Sequence, residues 1–211
     1  MFMNSVRYGL LCGILLILAQ GCTLEQRGTT SLTIGDGGFF SQDPCGPPCF
    51  WGIVPGSTEE KEVIRILKSR GIWETCESFN NEAESGVRGI TCARVLGVHF
   101  KRGGTIVAGI GFSPSSEITV HDVLGRFGEP DYILLTDMGL PEYPETGMSL
   151  YYERITTKID LPAQDNFVYS VSPFTKIESI GYFDVDEYEA HKTCIFPYLL
   201  TWHGYGEYEQ P

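Results

Sequence analysis

The sequence predicts an α+β domain in which short helices pack on one face of an antiparallel sheet. Each half of the chain has a capped short helix followed by runs of strand-forming residues, and glycine turns separate some of these runs. The halves, about 57–112 and about 119–183, also end alike, in Gly109-Ile110-Gly111-Phe112 and Ser179-Ile180-Gly181-Tyr182. We therefore expect two αβββ-like repeats of one supersecondary unit.

The first 22 residues have the features of a bacterial export signal. Arg7 is their only charged residue, and the uncharged run from Tyr8 to Ala19 that follows it is too short to span a bilayer as a stable helix. The string AQGC at 19–22 resembles a lipobox, in which small residues precede the cysteine that receives diacylglycerol. The sequence thus predicts a lipoprotein signal peptide over 1–21 and a lipid on Cys22. Ordinary secretory cleavage, which leaves Cys22 unmodified, is the alternative.

The lipid on Cys22 would anchor the chain to the extracytoplasmic face of the bacterial cell envelope, in the outer membrane if two membranes are present. Residues 22–44 are rich in Gly, Thr and Ser and lack helical periodicity. They predict a flexible tether, with Phe39 and Phe40 where it begins to dock. A single domain over 45–211, with a C-terminal tail from 184 to 211, is expected to follow.

The charge of the chain disfavours two classes of partner. The formal net charge is −12, and it becomes −13 when the predicted signal peptide, with its single arginine, is removed. Nucleic acid and anionic lipid headgroups would repel such a surface. Hydrophobic residues make up 42% of the chain, which is enough to build a folded core.

Five cysteines remain beyond Cys22, and in an exported chain they predict disulfides. If the first two strands pair antiparallel, Cys76 and Cys92 lie opposite each other, which makes Cys76–Cys92 the preferred bridge. A second bridge would join Cys45 or Cys49 to Cys194. A bridge within Cys45-Gly-Pro-Pro-Cys49 is the alternative, although two prolines restrict the turn that it needs.

The segment 44–58, PCGPPCFWGIVPGST, opens the predicted domain. It resembles an uncharacterised family of bacterial lipoproteins whose mature domain begins with C-x-P-P-C, an aromatic pair, G-I-x-P-G and a Ser or Thr before a helix. The resemblance implies a location and an architecture but no activity. Proline and glycine disfavour helix and strand here, so we expect a plug in which Phe50, Trp51 and Ile53 cover one edge of the core. An exposed aromatic binding platform is the alternative.

Two helices and a series of strands are predicted after this segment. Ser57 and Glu60 form a capping-box pattern before a helix over 58–70, and Thr119 and Asp122 form a second one before a shorter helix. A third short helix is possible after Asp184. The strand candidates are 73–79, 89–101, 105–112, 131–136, 148–155 and 176–183, with weaker indications at 158–161 and 167–171.

The second helix and its ending carry a further resemblance. The strings TVHDVL at 119–124 and GEPD at 128–131 are similar to the small lipoprotein of the β-barrel assembly machine. The tandem arrangement resembles the secreted β-lactamase inhibitor protein, which has two such repeats. Both families pack short helices on one face of an antiparallel sheet, so the resemblance supports the fold and not a function.

The sequence predicts no catalytic residue, no cofactor and no metal site. It has no G-x-S-x-G, H-E-x-x-H, Walker or G-x-G-x-x-G motif. The four histidines, His99, His121, His191 and His203, fall on different predicted elements. Asp184-x-Asp186-Glu187 suits a helix N-terminus; calcium binding is the alternative, but the spaced oxygen ligands and the glycine of a calcium loop are missing.

The interpretation that follows is a non-enzymatic, lipid-anchored envelope module that binds another protein or has a structural role. A small-ligand or glycan receptor is the alternative, and an envelope hydrolase comes third. The aromatic residues predicted to form a binding surface are Phe50, Trp51, Tyr151, Tyr152 and Tyr182.

Overall fold

Both halves of the chain form a short helix followed by a meander of strands. The computed structural model describes residues 34–81, 87–137, 145–165, 167–195 and 198–209. The helices are α1 (Glu60–Ser69), α2 (Val120–Phe127) and α3 (Val185–Ile195). The strands are β1 (Cys76–Asn81), β2 (Val87–Cys92), β3 (Leu96–Phe100), β4 (Val107–Phe112), β5 (Tyr132–Asp137), β6 (Thr146–Tyr152), β7 (Thr157–Gln164), β8 (Val168–Val171), β9 (Ser179–Phe183), β10 (Leu199–Leu200) and β11 (Gly206–Glu209).

Among these described elements, nine strands form one antiparallel sheet in the order β1-β2-β3-β4-β9-β7-β6-β5-β10. Strands β8 and β11 pair with each other in a separate two-stranded sheet. The helices are short and the pairing is antiparallel throughout. The predicted α+β class is therefore confirmed.

The two halves of the large sheet mirror each other in strand order. In the first half, strands β1, β2, β3 and β4 lie side by side in the order of the sequence. In the second half, strands β5, β6, β7 and β9 also lie side by side in the order of the sequence, starting from the opposite side of the sheet. Each half thus contributes four strands where the sequence predicted three. The last strands of the halves meet at the centre, where Gly111 pairs with Gly181 and Ile110 with Tyr182. The glycine motifs shared by the halves therefore face each other across an approximate two-fold arrangement.

The main core lies between the large sheet and the helices α1 and α2. Val63 and Leu67 of α1 and Val123 of α2 are fully buried. They pack in one cluster with alternate residues of the central strands, among them Ile110 and Ile180. Because successive strand residues point to opposite faces, the residues between these core positions lie on the other face of the sheet.

The third helix packs on that other face. Tyr188 of α3 is buried with its ring centroid 6.3 Å from that of Tyr151 and 6.4 Å from that of Phe183. Tyr151 and Phe183 are the strand neighbours of the core residues Tyr152 and Tyr182, so they point away from the core. The prediction that the helices share one face therefore holds for α1 and α2 but not for α3.

The two predicted helix caps had different outcomes. At α2, Thr119 accepts from the backbone N–H of Asp122 and the Asp122 carboxylate accepts from the backbone N–H of Thr119, so the predicted capping box is confirmed. At α1 the prediction was wrong, because the N-cap residue is Glu59 and its side chain makes no capping hydrogen bond. Ser57 instead donates to the carbonyl of Val54.

One predicted strand, 89–101, is two strands joined by a tight turn. Ala93 and Arg94 adopt φ angles of 47° and 60°, in the left-handed region, and reverse the chain between β2 and β3. The glycine turn at 102–104 behaves as predicted and connects β3 to β4, with the backbone N–H of Gly104 donating to the carbonyl of Lys101.

Two disulfides are present. Cys76–Cys92 joins opposite residues of β1 and β2, with Cα atoms 3.9 Å apart, and confirms the preferred bridge. The second bridge is Cys45–Cys49, the alternative. The predicted link from Cys45 or Cys49 to Cys194 was wrong, because Cys194 lies free and exposed on α3. The Pro47–Pro48 bond is cis, in a turn that brings the two cysteines together.

The folded region begins earlier than the predicted boundary at residue 45. Ile34 is 5% exposed and Phe39 is fully buried, and both belong to the main core. Asp36 closes a loop by accepting from the backbone N–H groups of Phe40 (3.0 Å) and Ser41 (2.8 Å). Residues 34–40 are thus part of the domain, because Ile34 and Phe39 pack in the main core, whereas residues 41–44 are exposed. The predicted signal peptide, Cys22 and the first part of the tether lie outside the described residues.

The predicted plug is borne out by burial. Phe50 and Ile53 are fully buried, and the Phe50 ring lies 4.6 Å from that of Phe112 in β4. Trp51 is partly buried and stacks against the Arg70 guanidinium at 4.3 Å. No helix among the described residues combines the length and apolar character needed to cross a membrane.

Candidate functional site

The outer face of the large sheet, opposite α1 and α2, is covered in one half and open in the other. Helix α3 covers the second half, where His191 stacks on Phe183 with ring centroids 6.0 Å apart and an interplanar angle of 9°. Its Nε2 atom lies 3.0 Å from the Tyr151 hydroxyl. The first half, over β2, β3 and β4, has no such helix among the described elements.

The environment of His191 under α3 favours its neutral form. Burial lowers the pKa of the His191 imidazole, and the Lys158 ammonium lowers it further, while Asp160 raises it. Burial also raises the pKa of the Tyr151 hydroxyl. The hydrogen bond between His191 and Tyr151 joins α3 to β6 beside the open half of the face.

A row of three glycines forms the floor of a cleft in the open region. Gly97 of β3 pairs with Gly111 of β4, which in turn pairs with Gly181 of β9. All three line a cavity of about 360 Å³. A Cβ atom on Gly111 would meet no heavy atom within 4 Å, and one on Gly97 would be 3.7 Å from the His99 Nε2 atom. The floor is thus open backbone at Gly97 and Gly111, whereas a Cβ atom on Gly181 would lie 3.2 Å from the Phe183 ring.

Two further glycines on this face are covered by aromatic rings. A Cβ atom on Gly89 would lie 2.8 Å from the Phe79 ring and 2.3 Å from the carbonyl oxygen of Val98. One on Gly109 would lie 3.3 Å from the Phe183 ring. These glycines let the rings of Phe79 and Phe183 lie close to the sheet, and the Phe183 ring forms an apolar wall of the cleft.

The opposite wall of the cleft is a polar cluster centred on Asp160. Its carboxylate accepts from the Ser149 hydroxyl at 2.6 Å and from the Ser179 hydroxyl at 2.7 Å, and lies 3.0 Å from the Lys158 ammonium. Because every near neighbour donates to it, the carboxylate is held in one position. This cluster offers fixed hydrogen-bonding groups beside a flat backbone floor, which is the arrangement of a binding cleft.

The cleft continues along the strands into a second cavity of about 420 Å³. The two cavities share His99, Gly109 and Phe183. The second one extends toward the turn between β3 and β4 and is lined there by Arg102, with Glu187 of α3 on its other side. The open half of the face is therefore one continuous groove, bounded by the side chains of β2 and by α3. We call it the outer groove.

Most of the aromatic residues predicted to form a binding surface are buried, so that prediction was wrong. Trp51 is the partly buried exception, and it is engaged by Arg70. Phe50, Tyr152 and Tyr182 belong to the main core, and Tyr151 lies under α3. The exposed fractions of the four buried side chains are 0% for Phe50, 1% for Tyr151, 4% for Tyr152 and 0% for Tyr182.

The acidic cluster after β9 has the structural role that its position suggested. The Asp184 carboxylate accepts from the backbone N–H groups of Asp186 and Glu187 and so caps α3. It also lies 3.0 Å from the Lys101 ammonium. In the part of the chain that the structure describes, no three His, Cys, Asp or Glu residues are grouped to hold a metal ion.

The outer groove was not predicted from the sequence, although the spacing of its glycines is visible there. Gly109 and Gly111 are two apart in one strand, and Gly97 and Gly181 fall in neighbouring strands. Such spacing places glycines on one face, but the register that aligns them across three strands is set by tertiary pairing.

The fold and the site together define a disulfide-bonded α+β domain with a glycine-floored groove on its nine-stranded sheet. The two disulfides are typical of an oxidising, extracytoplasmic environment. Comparisons with protein-family models, with curated proteins and with solved structures find no match to this chain. The resemblance of its opening motif to a lipoprotein family remains a prediction.

Proposed function

We propose that this chain is a lipid-anchored, extracytoplasmic binding protein without catalytic activity, and that its outer groove receives a segment of another protein. The observation that carries the proposal is the cleft floored by the open backbone of Gly97 and Gly111, with the Phe183 ring over Gly181 and the Asp160 cluster as its polar wall. Exposed strand backbone without side chains lets a partner approach closely. The polar wall supplies fixed hydrogen-bonding partners for recognition.

The length of the groove favours a protein segment. Its two cavities lie one after the other along β3 and β4, which gives an open channel and not an enclosed pocket. A small ligand or a glycan is the second candidate. It is favoured by the volume of the first cavity, about 360 Å³, which lies in the range of small-molecule sites. The formal net charge of −12 disfavours nucleic acid as the ligand.

Filling the floor of the groove should abolish partner binding without unfolding the domain. Gly111→Val adds a strand-favouring side chain where there is free space and no left-handed φ, so we expect the stability of the variant to match that of the native chain. We expect crosslinking of intact membranes to give a discrete adduct with the native chain and to lose it in Gly111→Val. The measurement is the yield of the adduct after purification.

A matched control is Gly125→Val, which adds the same side chain to the exposed surface of α2, where it would also meet no neighbour within 4 Å. This variant should retain the adduct. Equal adduct yields in Gly111→Val and the native chain would rule out the groove as the binding site.

The anchoring half of the proposal depends on Cys22. Cys22→Ala removes the only thiol that the lipobox-like string offers for lipid attachment, and two or three acyl chains are what holds such a protein stably. We expect the variant to move from the membrane pellet to the soluble fraction, as measured by immunoblotting after ultracentrifugation. Cys194→Ala serves as the control and should stay in the pellet. Unchanged membrane retention of Cys22→Ala would rule out a lipid anchor at this residue.

A further inference from the structure

The outer groove has one arginine at each end. Arg94 lies in the turn between β2 and β3 and lines the first cavity. Arg102 lies in the turn between β3 and β4 and lines the second. Neither guanidinium has an ion-pair partner among the described residues. The chain as a whole carries a formal net charge of −12, so the attraction of the groove for a carboxylate depends on these two local cations.

The position of the arginines along the groove follows from the strand register. The turn that carries Arg94 is bonded to the residue after β4, since the backbone N–H of Ser113 donates to the carbonyl of Val95. At the other end, the backbone N–H of Lys101, next to Arg102, donates to the carbonyl of Ile106. From Ile106 to Ser113 the strand advances seven residues, or about 23 Å at roughly 3.3 Å per residue. An extended segment of about seven residues would therefore bridge the two ends.

The other cations along the groove already form ion pairs within the chain. Lys158 and Asp160 are paired with each other. Lys101, next to Arg102, is held by Asp184 and Asp186. Among the described residues that line the second cavity, Glu187 is the acidic one, and no ion pair joins it to Arg102. Two cations thus remain available to a ligand.

We propose that the outer groove binds an extended acidic peptide segment with one carboxylate at each end, about seven residues apart. The proposal rests on the proposed function and specifies the chemistry of the partner. Arginine favours this ligand because its planar guanidinium can donate two parallel hydrogen bonds to a carboxylate. The glycine floor accommodates the backbone of the segment, and the Asp160 cluster borders its first half.

The test uses the full chain purified in a mild detergent and three fluorescently labelled eight-residue peptides as probes. The first carries Glu at both ends with Ser and Ala between them, the second has Lys at both ends, and the third has its two Glu residues adjacent at the centre. Fluorescence anisotropy should show the end-Glu peptide binding at least about tenfold more tightly than the other two. Its affinity should fall as salt is raised, because the arginines are exposed.

Substitutions of the two arginines test whether each end of the groove contributes to peptide binding. Arg94→Gln and Arg102→Gln should each weaken the end-Glu peptide about two- to fivefold, the range expected for exposed ion pairs. Arg126→Gln, on the exposed side of α2, is the matched control and should leave the affinity unchanged. Gly111→Val should abolish binding.

Equal binding of the end-Glu and end-Lys peptides would overturn the proposal. So would the absence of saturable binding by any probe, or an affinity that Arg94→Gln and Arg102→Gln leave unchanged. Such results would not affect the proposed function, which is judged by the membrane adduct of Gly111→Val. Loss of that adduct together with failure of the acidic probe would mean that the groove binds a partner of different chemistry.

Discussion

Replacing Phe50 with alanine should lower the free energy of unfolding by about 3–5 kcal/mol, the cost typical of removing a buried aromatic ring. Phe50 is fully buried, and its ring centroid lies 4.6 Å from that of Phe112. A Cβ atom on Gly37 would lie only 2.6 Å from the nearest atom of the Phe50 ring. The ring thus joins the segment at residue 37 to the centre of the sheet. Urea denaturation under oxidising conditions, followed by tryptophan fluorescence, measures the change.

Phe174→Ala is the matched control for Phe50→Ala. Its ring is 83% exposed, so the same truncation should change stability by less than about 0.5 kcal/mol. A loss below about 1 kcal/mol in Phe50→Ala would contradict the view that the segment 44–58 is a structural plug, since cavities in a packed core cost more than that.

Removing the Cys76–Cys92 disulfide should lower the free energy of unfolding by about 3 kcal/mol. The bridge closes a loop with a sequence separation of 16, and the loss of chain entropy in the unfolded state gives a stabilisation of this size. It also fastens the edge strand β1, whose side chains are mostly exposed, to the buried strand β2. The double variant Cys76→Ala/Cys92→Ala avoids leaving an unpaired thiol, and its urea midpoint gives the change.

The other disulfide provides the comparison. Cys45–Cys49 has a sequence separation of only 4, so the same entropy relation predicts a smaller loss, about 2 kcal/mol, for Cys45→Ala/Cys49→Ala. A larger loss for this variant than for the Cys76/Cys92 pair would show that the loop-length argument does not describe these bridges.

Local patterns in the sequence predicted the elements of the fold better than their ends. The α2 capping box involves residues three apart, so it could be read directly. The α1 cap failed because Glu60 was assigned a local role, whereas its carboxylate accepts from the Arg88 guanidinium, 28 residues away. The turn at Ala93 and Arg94 was missed because neither residue type marks a left-handed conformation in the sequence.

The candidate site was not predicted, for a related reason. Tyrosines were assigned to a surface by residue type, but Tyr151 points toward α3 and Tyr152 toward the core. Which side of a strand stays open depends on where α3 packs, and no local pattern specifies that. The glycine row likewise depends on register between strands that are up to 84 residues apart in the chain, from Gly97 to Gly181.

The empty space above Gly111 has a consequence for how such a protein could diversify. Because a side chain there would meet no neighbour within 4 Å, mutation at this one position can alter the shape of the groove while the core beneath it keeps its packing. Gly89, whose Cβ atom would collide with backbone, has no such freedom. Side chains at Gly111 and Gly97 would therefore change the surface of the groove alone, whereas a side chain at Gly89 would displace the strand next to it.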